Sequence, residues 1–212
     1  MVYQTKEDLI QQQIRPEETV LDIGFYGQGT AVDNPKWIHS LLQKRAKKVY
    51  GLDLEFPQDK FAPPLYLKAS AEDFTLPEKV DVIFAGDIIE HLSNPGNFLA
   101  SCARNLKEGG RLIITTPNAF NLFNIAEKFS KDEPTVNAEH TCYYNKKTIQ
   151  ELISRYPYDI QEVSYVYRLF TTHKESLKKK FLNVFYKLFS LATPKFVETL
   201  VVVCRKKSSG TL

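Results

Sequence analysis

Two acids and two histidines hold much of the chemical potential of this 212-residue sequence: Asp87, Glu90 and His91 close together, and His140 further along. An unperturbed imidazole titrates near pH ~6.5, so His91 and His140 are the candidates to take a proton from a substrate hydroxyl at neutral pH. Tyr143 and Tyr144 follow His140 closely enough to touch the same substrate. The same residues support a second chemistry. Asp87-x-x-Glu90-His91, joined by His140, offers the oxygen and nitrogen ligands that suit a divalent cation. Structural roles compete with both: His91 can simply orient its own loop, and His140 can lie in a loop crossing a pocket mouth. His39, beside Trp37, and His173 are expected to be structural or solvated, and Cys102 and Cys204 to pack rather than react.

A separate signal lies in Val20-Leu21-Asp22-Ile23-Gly24-Phe25-Tyr26-Gly27-Gln28-Gly29. A glycine-rich turn directly after a strand tolerates positive φ and lets the backbone approach a ligand closely. Further on, Tyr50-Gly51-Leu52-Asp53 puts a carboxylate at the end of a second strand, where it can accept both hydroxyl hydrogens of a ribose. Together they point to a nucleoside cofactor, against the plainer reading of a structural turn and a capping Asp. The spacing Gly24, Gly27, Gly29 fails the Gly-x-Gly-x-x-Gly dinucleotide pattern, which disfavours a nicotinamide oxidoreductase.

These residues need a frame that brings them to one edge. The patterning predicts a helix over about Glu7 to Ile14 and a strand over Thr19 to Gly24. Asn34 and Pro35 should open a helix running to about Lys47. Strands follow at Val49 to Asp53, Leu65 to Lys68 and Val80 to Gly86. Asn94 and Pro95 repeat the cap, and the helix they open should stop at Gly109, before a strand over Arg111 to Thr115. Beyond Pro117, helices are expected at Asn121 to Phe129 and Lys146 to Arg155, with a loop over Asp132 to Cys142 between them. Strands are expected at Asp159 to Tyr167 and Thr199 to Arg205. Strand and helix in this cadence mean an α/β fold with a parallel sheet covered on both faces.

The motifs resemble those of class I S-adenosylmethionine (SAM)-dependent methyltransferases over roughly Val20 to Ile153. Asp22-x-Gly24 is similar to their first motif, and Asp53 stands where they bind the ribose. The turn Ser70-Ala71-Glu72-Asp73 resembles their adenine contact, although Ser70 replaces the usual Asp. Asp87-Ile88-Ile89-Glu90-His91-Leu92 and Gly109-Gly110-Arg111 through Thr116-Pro117-Asn118 resemble the ubiquinone-biosynthesis-like O-methyltransferases. The resemblance implies a seven-stranded Rossmann-like sheet with the last strand antiparallel, and SAM as cofactor. It implies Asp22, Gly24, Gly27, Gly29, Asp53, Leu54, Ser70, Ala71, Glu72 and Asp87 as its contacts. Acid–base work at His91 and His140 on an oxygen acceptor would complete the enzyme. Two residues, Phe25 and Tyr26, separate the first two glycines where the family has one, so the pocket near the methionine end should be reshaped. Two rival readings follow. The acidic and histidine set is also similar to the metal site of small-RNA 3′-end 2′-O-methyltransferases, and the altered glycine loop would suit a non-catalytic binding module.

Composition bounds the rest. The formal charge of +3 is too small to imply a nucleic-acid partner. Three cysteines form no paired framework, and no apolar run reaches the ~18–20 residues of a membrane span. A single cytoplasmic domain acting on a small-molecule, lipid-linked or glycan acceptor is the expectation. Within Thr172 to Leu191, Leu177, Phe181, Val184, Phe185 and Leu188 form an apolar stripe beside Lys178, Lys179, Lys180 and Lys187. That segment suits either a helix packed on the sheet or a peripheral membrane contact.

Overall fold

The computed structural model describes residues 2–26, 31–167 and 193–208. Gly27, Gly29, His173 and the basic segment of Thr172 to Leu191 lie outside the described residues. Among the described residues, eight strands form one sheet: β1 (Val2–Tyr3), β2 (Thr19–Ile23), β3 (Lys48–Asp53), β4 (Tyr66–Lys68), β5 (Val80–Gly86), β6 (Leu106–Pro117), β7 (Tyr158–Val166) and β8 (Thr199–Lys206). Their order is β1-β7-β8-β6-β5-β2-β3-β4. Only β8 runs against its neighbours, β6 and β7, as the resemblance implied. The seven-strand expectation is corrected by one. Val2–Tyr3 is too short to show any period in the sequence, yet it pairs in parallel with β7, Val2 opposite Tyr165 and Tyr3 opposite Val166.

Alternation along the strands builds two cores. In β5, Ile83 and Ala85 face one side, where the helices α3 (Pro95–Asn105) and α5 (Lys146–Ser154) supply Phe98, Leu99, Ile149 and Ile153. Val82 and Phe84 face the other side, against Leu9 and Ile10 of α1 (Lys6–Gln13) and Leu42 of α2 (Ile38–Arg45). Strands buried on both faces read as continuous apolar runs, which is why β5 carries Val82-Ile83-Phe84-Ala85. A short helix, α4 (Leu122–Lys128), has no fully buried residue and lies after β6. No helix among the described residues is long and apolar enough to cross a membrane.

Two element boundaries differ from expectation. Asn34 uses its side chain locally, accepting from the Lys36 amide at 2.9 Å, and the helix begins only after Trp37. The helix from Pro95 ends at Asn105. Gly109 takes its positive φ of 70° inside the irregular start of β6 rather than as a helix cap.

Candidate active site

Strand order reverses between β2 and β5: the chain proceeds outward from β2 through β3 and β4, then crosses back to β5 and β6. At such a switch point the carboxyl ends of neighbouring strands diverge and leave a crevice. Gly24 sits at the end of β2 with φ 74°, its amide donating to the Leu52 carbonyl at 2.7 Å. Asp53, one strand away, is clamped from two sides. Its Oδ2 accepts from the Tyr26 amide at 2.9 Å and its Oδ1 from the Leu54 amide at 2.8 Å. Burial raises its proton affinity, which those amides partly offset. Each carboxylate oxygen accepts two hydrogen bonds readily, so one lone-pair direction per oxygen stays available to a ligand hydroxyl.

The extra residue of the glycine loop turns inward. Phe25 is 2% exposed, and its ring packs 5.1 to 5.2 Å from those of Phe56, Phe61, Tyr66 and His39. Trp37 pins the same residue, donating from Nε1 to the Phe25 carbonyl at 2.7 Å. Gly51 makes room for it: a Cβ there would meet ring carbons of Phe25 and Tyr66 at 2.8 Å. Gly51→Ala is therefore expected to destabilise the protein by about 1–3 kcal/mol through overpacking. That should appear as a melting temperature lowered by roughly 2–4 °C per kcal/mol. An unchanged thermal transition would show that Phe25 is not held as described.

Beneath this cluster, the fully buried His39 meets Asp22 through Nδ1 at 3.0 Å. Of the two roles expected for His39, the structural one holds. Burial raises the Asp22 proton affinity, and the His39 contact opposes that rise.

On the other side of the crevice, the end of β5 turns through Asp87, which adopts φ 55°. A left-handed conformation is tolerated by Asp better than by most residues. Asp87 Oδ2 accepts from Lys6 Nζ at 2.7 Å and its Oδ1 from the Thr115 hydroxyl at 2.8 Å. A single 3-10 turn, Ile89–His91, follows. It buries Glu90, leaving 1% exposed, where Oε2 accepts from the Thr116 hydroxyl at 3.0 Å. Oε1 finds no hydrogen-bond partner among the described residues. Burial first, and then the charge of Asp87, push the Glu90 carboxyl up to about 7.

His140 comes to this turn from far along the chain. The amide of Thr141 donates to the Glu90 carbonyl at 2.8 Å, and the hydroxyl of Thr141 donates to the same oxygen at 3.1 Å and to the Leu92 carbonyl at 2.8 Å. The rings of His91 and His140 then meet edge to face, centroids 4.6 Å apart. One ligand-type atom each from Glu90, His91 and His140 lie within 4.8 Å of one another. Desolvation, reinforced by His91, lowers the basicity of His140, and its Nδ1 is buried without a partner among the described residues.

The structure thus unites His91 with His140 and Glu90, as their grouping in the sequence anticipated, and buries Glu90 to a depth that no local pattern reveals. Asp87 stays close enough to act on that group by its charge, but Lys6 and Thr115 bond its carboxylate oxygens. Leu54 is exposed beside Asp53. In the turn at 70–73, the Ser70 hydroxyl accepts from the Glu72 amide, and Ala71 is buried. The Glu72 carboxylate accepts from the amide and side chain of Asn94, which lowers its proton affinity and ties the turn to the start of α3.

Comparison with known proteins agrees with this fold. Residues 34–114 match the family model described as a methyltransferase domain. A probable SAM-dependent methyltransferase of Mycolicibacterium smegmatis is 27% identical over 149 residues, covering 68% of this chain and 52% of the relative. Over this part the chain is similar to SAM-dependent methyltransferases. A ubiquinone biosynthesis O-methyltransferase of Nitrobacter winogradskyi is 38% identical to part of this chain, over 53 residues that cover 25% of the chain and 20% of that protein. The crystal structure of a putative methyltransferase from Bacillus halodurans shares the fold, with a TM-score of 0.58 at 18% identity, over 96% of this chain and 98% of that one. The chain spans about half the length of the full-domain curated relative. The match to the family model begins at Asn34, just after the enlarged glycine loop.

Proposed function

We propose that the chain transfers the methyl group of SAM to an oxygen of a small metabolite, a lipid-linked intermediate or a glycan sugar. The observation that carries this reading is the meeting of Glu90, His91 and His140 across the crevice from Asp53. The cofactor supplies an electrophilic methyl on a sulfonium, whose departure needs no acid. Asp53 fits its ribose, because both carboxylate oxygens are held in place by backbone amides yet keep acceptor capacity. Gly24 lets the backbone approach, and Ala71 offers an apolar wall to a base.

The chain's own chemical task is to hold the acceptor hydroxyl and remove its proton. His140 suits that task. Desolvation keeps its imidazole neutral at pH 7, so a nitrogen lone pair is available to the proton. His91, edge-on to it, fixes the ring, and buried Glu90 favours the protonated imidazole once the proton has moved. Positioning the acceptor contributes on the order of 7–11 kcal/mol, and a general base ~10²–10⁴-fold.

A second reading is favoured by the same three residues. Their donor atoms are close enough to share one divalent cation, and Glu90 Oε1 and His140 Nδ1 are buried without partners among the described residues. Such a cation would activate the acceptor hydroxyl in place of a base. Calorimetric titration with S-adenosylhomocysteine, beside a parallel run with NADH, tests the cofactor. Micromolar binding of the first and silence of the second are expected. A folded protein that binds neither would end the methyl-transfer reading. Repeating the titration with manganese and with chelator decides between base and metal: heat of manganese binding that disappears in His140→Ala identifies a cation site.

A further inference from the structure

Beside the proton-handling cluster, the end of β6 opens onto a separate cavity of about 420 Å³. That volume falls within the range of small-molecule sites. Its walls include Ala119, Phe120, Ile125, Phe129, Pro134 and Tyr143. Three of the seven large apolar side chains that are exposed in the described structure stand in this one wall, with Phe129 90% exposed. Phe120, Phe129 and Tyr143 lie outside α4, and their exposure leaves these aromatic side chains uncommitted to the core. Lys128 and Glu133 border the cavity but pair with each other at 3.0 Å, which leaves little net charge to attract an ionic ligand.

The cavity is tied directly to the reactive cluster. Ala119 donates from its amide to the Tyr144 carbonyl at 2.8 Å, and Asn118 bridges Tyr144 in parallel. From there the chain leads back to His140, whose neighbour Thr141 is fixed on Glu90. Tyr143 lies three positions after His140, so at most about 10 Å of chain joins the base to the apolar wall. One small molecule spans that distance.

We propose that this cavity takes the hydrocarbon part of the methyl acceptor, an uncharged aryl or alkyl group, while the acceptor hydroxyl lies at His140. The proposal rests on the methyl-transfer reading for the role of its occupant, but not for the cavity's affinity. The apolar walls, the neutralised rim and the short path to His140 all favour a neutral, elongated acceptor over a sugar phosphate or a peptide.

The test uses the full chain with excess S-adenosylhomocysteine, titrated by calorimetry with 4-alkylphenols from methyl to hexyl. Affinity is expected to rise by up to about fourfold per added methylene in the wild type. Ile125→Trp, which fills the cavity, should reduce that increment to less than about twofold, the gain being set by how much of each methylene is buried. Phe129→Ser, at a side chain nearly free in solution, should weaken the longer phenols without affecting folding. Affinity independent of chain length, or an increment untouched by Ile125→Trp, would overturn the proposal. So would binding of phosphatidylcholine vesicles that Phe129→Ser abolishes while the phenols are unaffected, since the wall would then face a membrane. S-adenosylhomocysteine affinity, read in the same three proteins, should be equal. Its absence from the wild type would count against methyl transfer, and the phenol series would still judge the cavity.

Discussion

Asp53→Ala is expected to lower affinity for S-adenosylhomocysteine by at least ~10²-fold, because each hydrogen bond to a charged group contributes about 1.5–3 kcal/mol. Two ribose hydroxyls would lose their acceptor together. The loss reaches further than the ligand, since the same carboxylate accepts from the amides of Tyr26 and Leu54. Alanine would release the backbone after both β2 and β3, including the start of the glycine loop. Asp53→Asn keeps one neutral acceptor and should fall between the two. Calorimetry on proteins with unchanged circular dichroism checks the series. An alanine variant within tenfold of wild type would remove Asp53 from the cofactor site.

Glu90→Gln has the largest expected effect on stability, and its sign is unusual. The folded protein holds the Glu90 carboxyl at about 7, against an ordinary value of 4.5. Between those values the native state binds more protons than the unfolded one, so stability falls as pH rises. In chelated protein the deficit should be complete above pH 7 and amount to roughly 3 kcal/mol. Glutamine keeps an acceptor for the Thr116 hydroxyl and carries no charge, so the variant should be the more stable protein at pH 8 and the two should converge near pH 4. Denaturant unfolding at several pH values gives the difference directly. A variant less stable than wild type at pH 8 would mean that Glu90 is ionised and well compensated in the native protein. Added manganese supplies a further contrast, because a bound cation requires the carboxylate and would cancel the advantage of the variant.

How much of this was legible in the sequence depends on range. The strands of the central sheet could be read because burial on both faces demands unbroken apolar runs such as Val82 to Ala85. The cofactor edge could be read because glycine and an acid at strand ends have few other uses. What escaped depends on contacts between distant segments. The burial of Glu90, which the sequence groups with His140, comes with hydrogen bonds from Thr141, 51 residues away. Phe25 looked like an insertion that must disturb the pocket. Its ring instead packs inward over Gly51, and nothing in the local pattern says that a glycine 26 positions on is kept bare for it. Asn34 illustrates the opposite failure, since its capping signal is genuine but serves a local turn. Asp87 was grouped with Glu90 and His91 by spacing alone, and only the arrival of Lys6 shows that its carboxylate is already committed.

That arrival follows from the first strand. Because β1 runs parallel to β7 at the margin of the sheet, the chain leaves it at the carboxyl edge and presents Lys6 there at once. A two-residue ribbon thereby meters positive charge into the neighbourhood of Asp87 and Glu90. The ribbon is anchored by two paired positions, by the buried Tyr3 ring and by a hydroxyl bond from Tyr3 to Glu162 at 2.9 Å. Trimming the first six residues, a routine step when preparing a shorter fragment for crystals, would therefore act as a charge mutation at the reaction centre. A fragment lacking them loses the buried Tyr3 ring together with Lys6, so it should differ from the parent in stability as well as in its acidity profile.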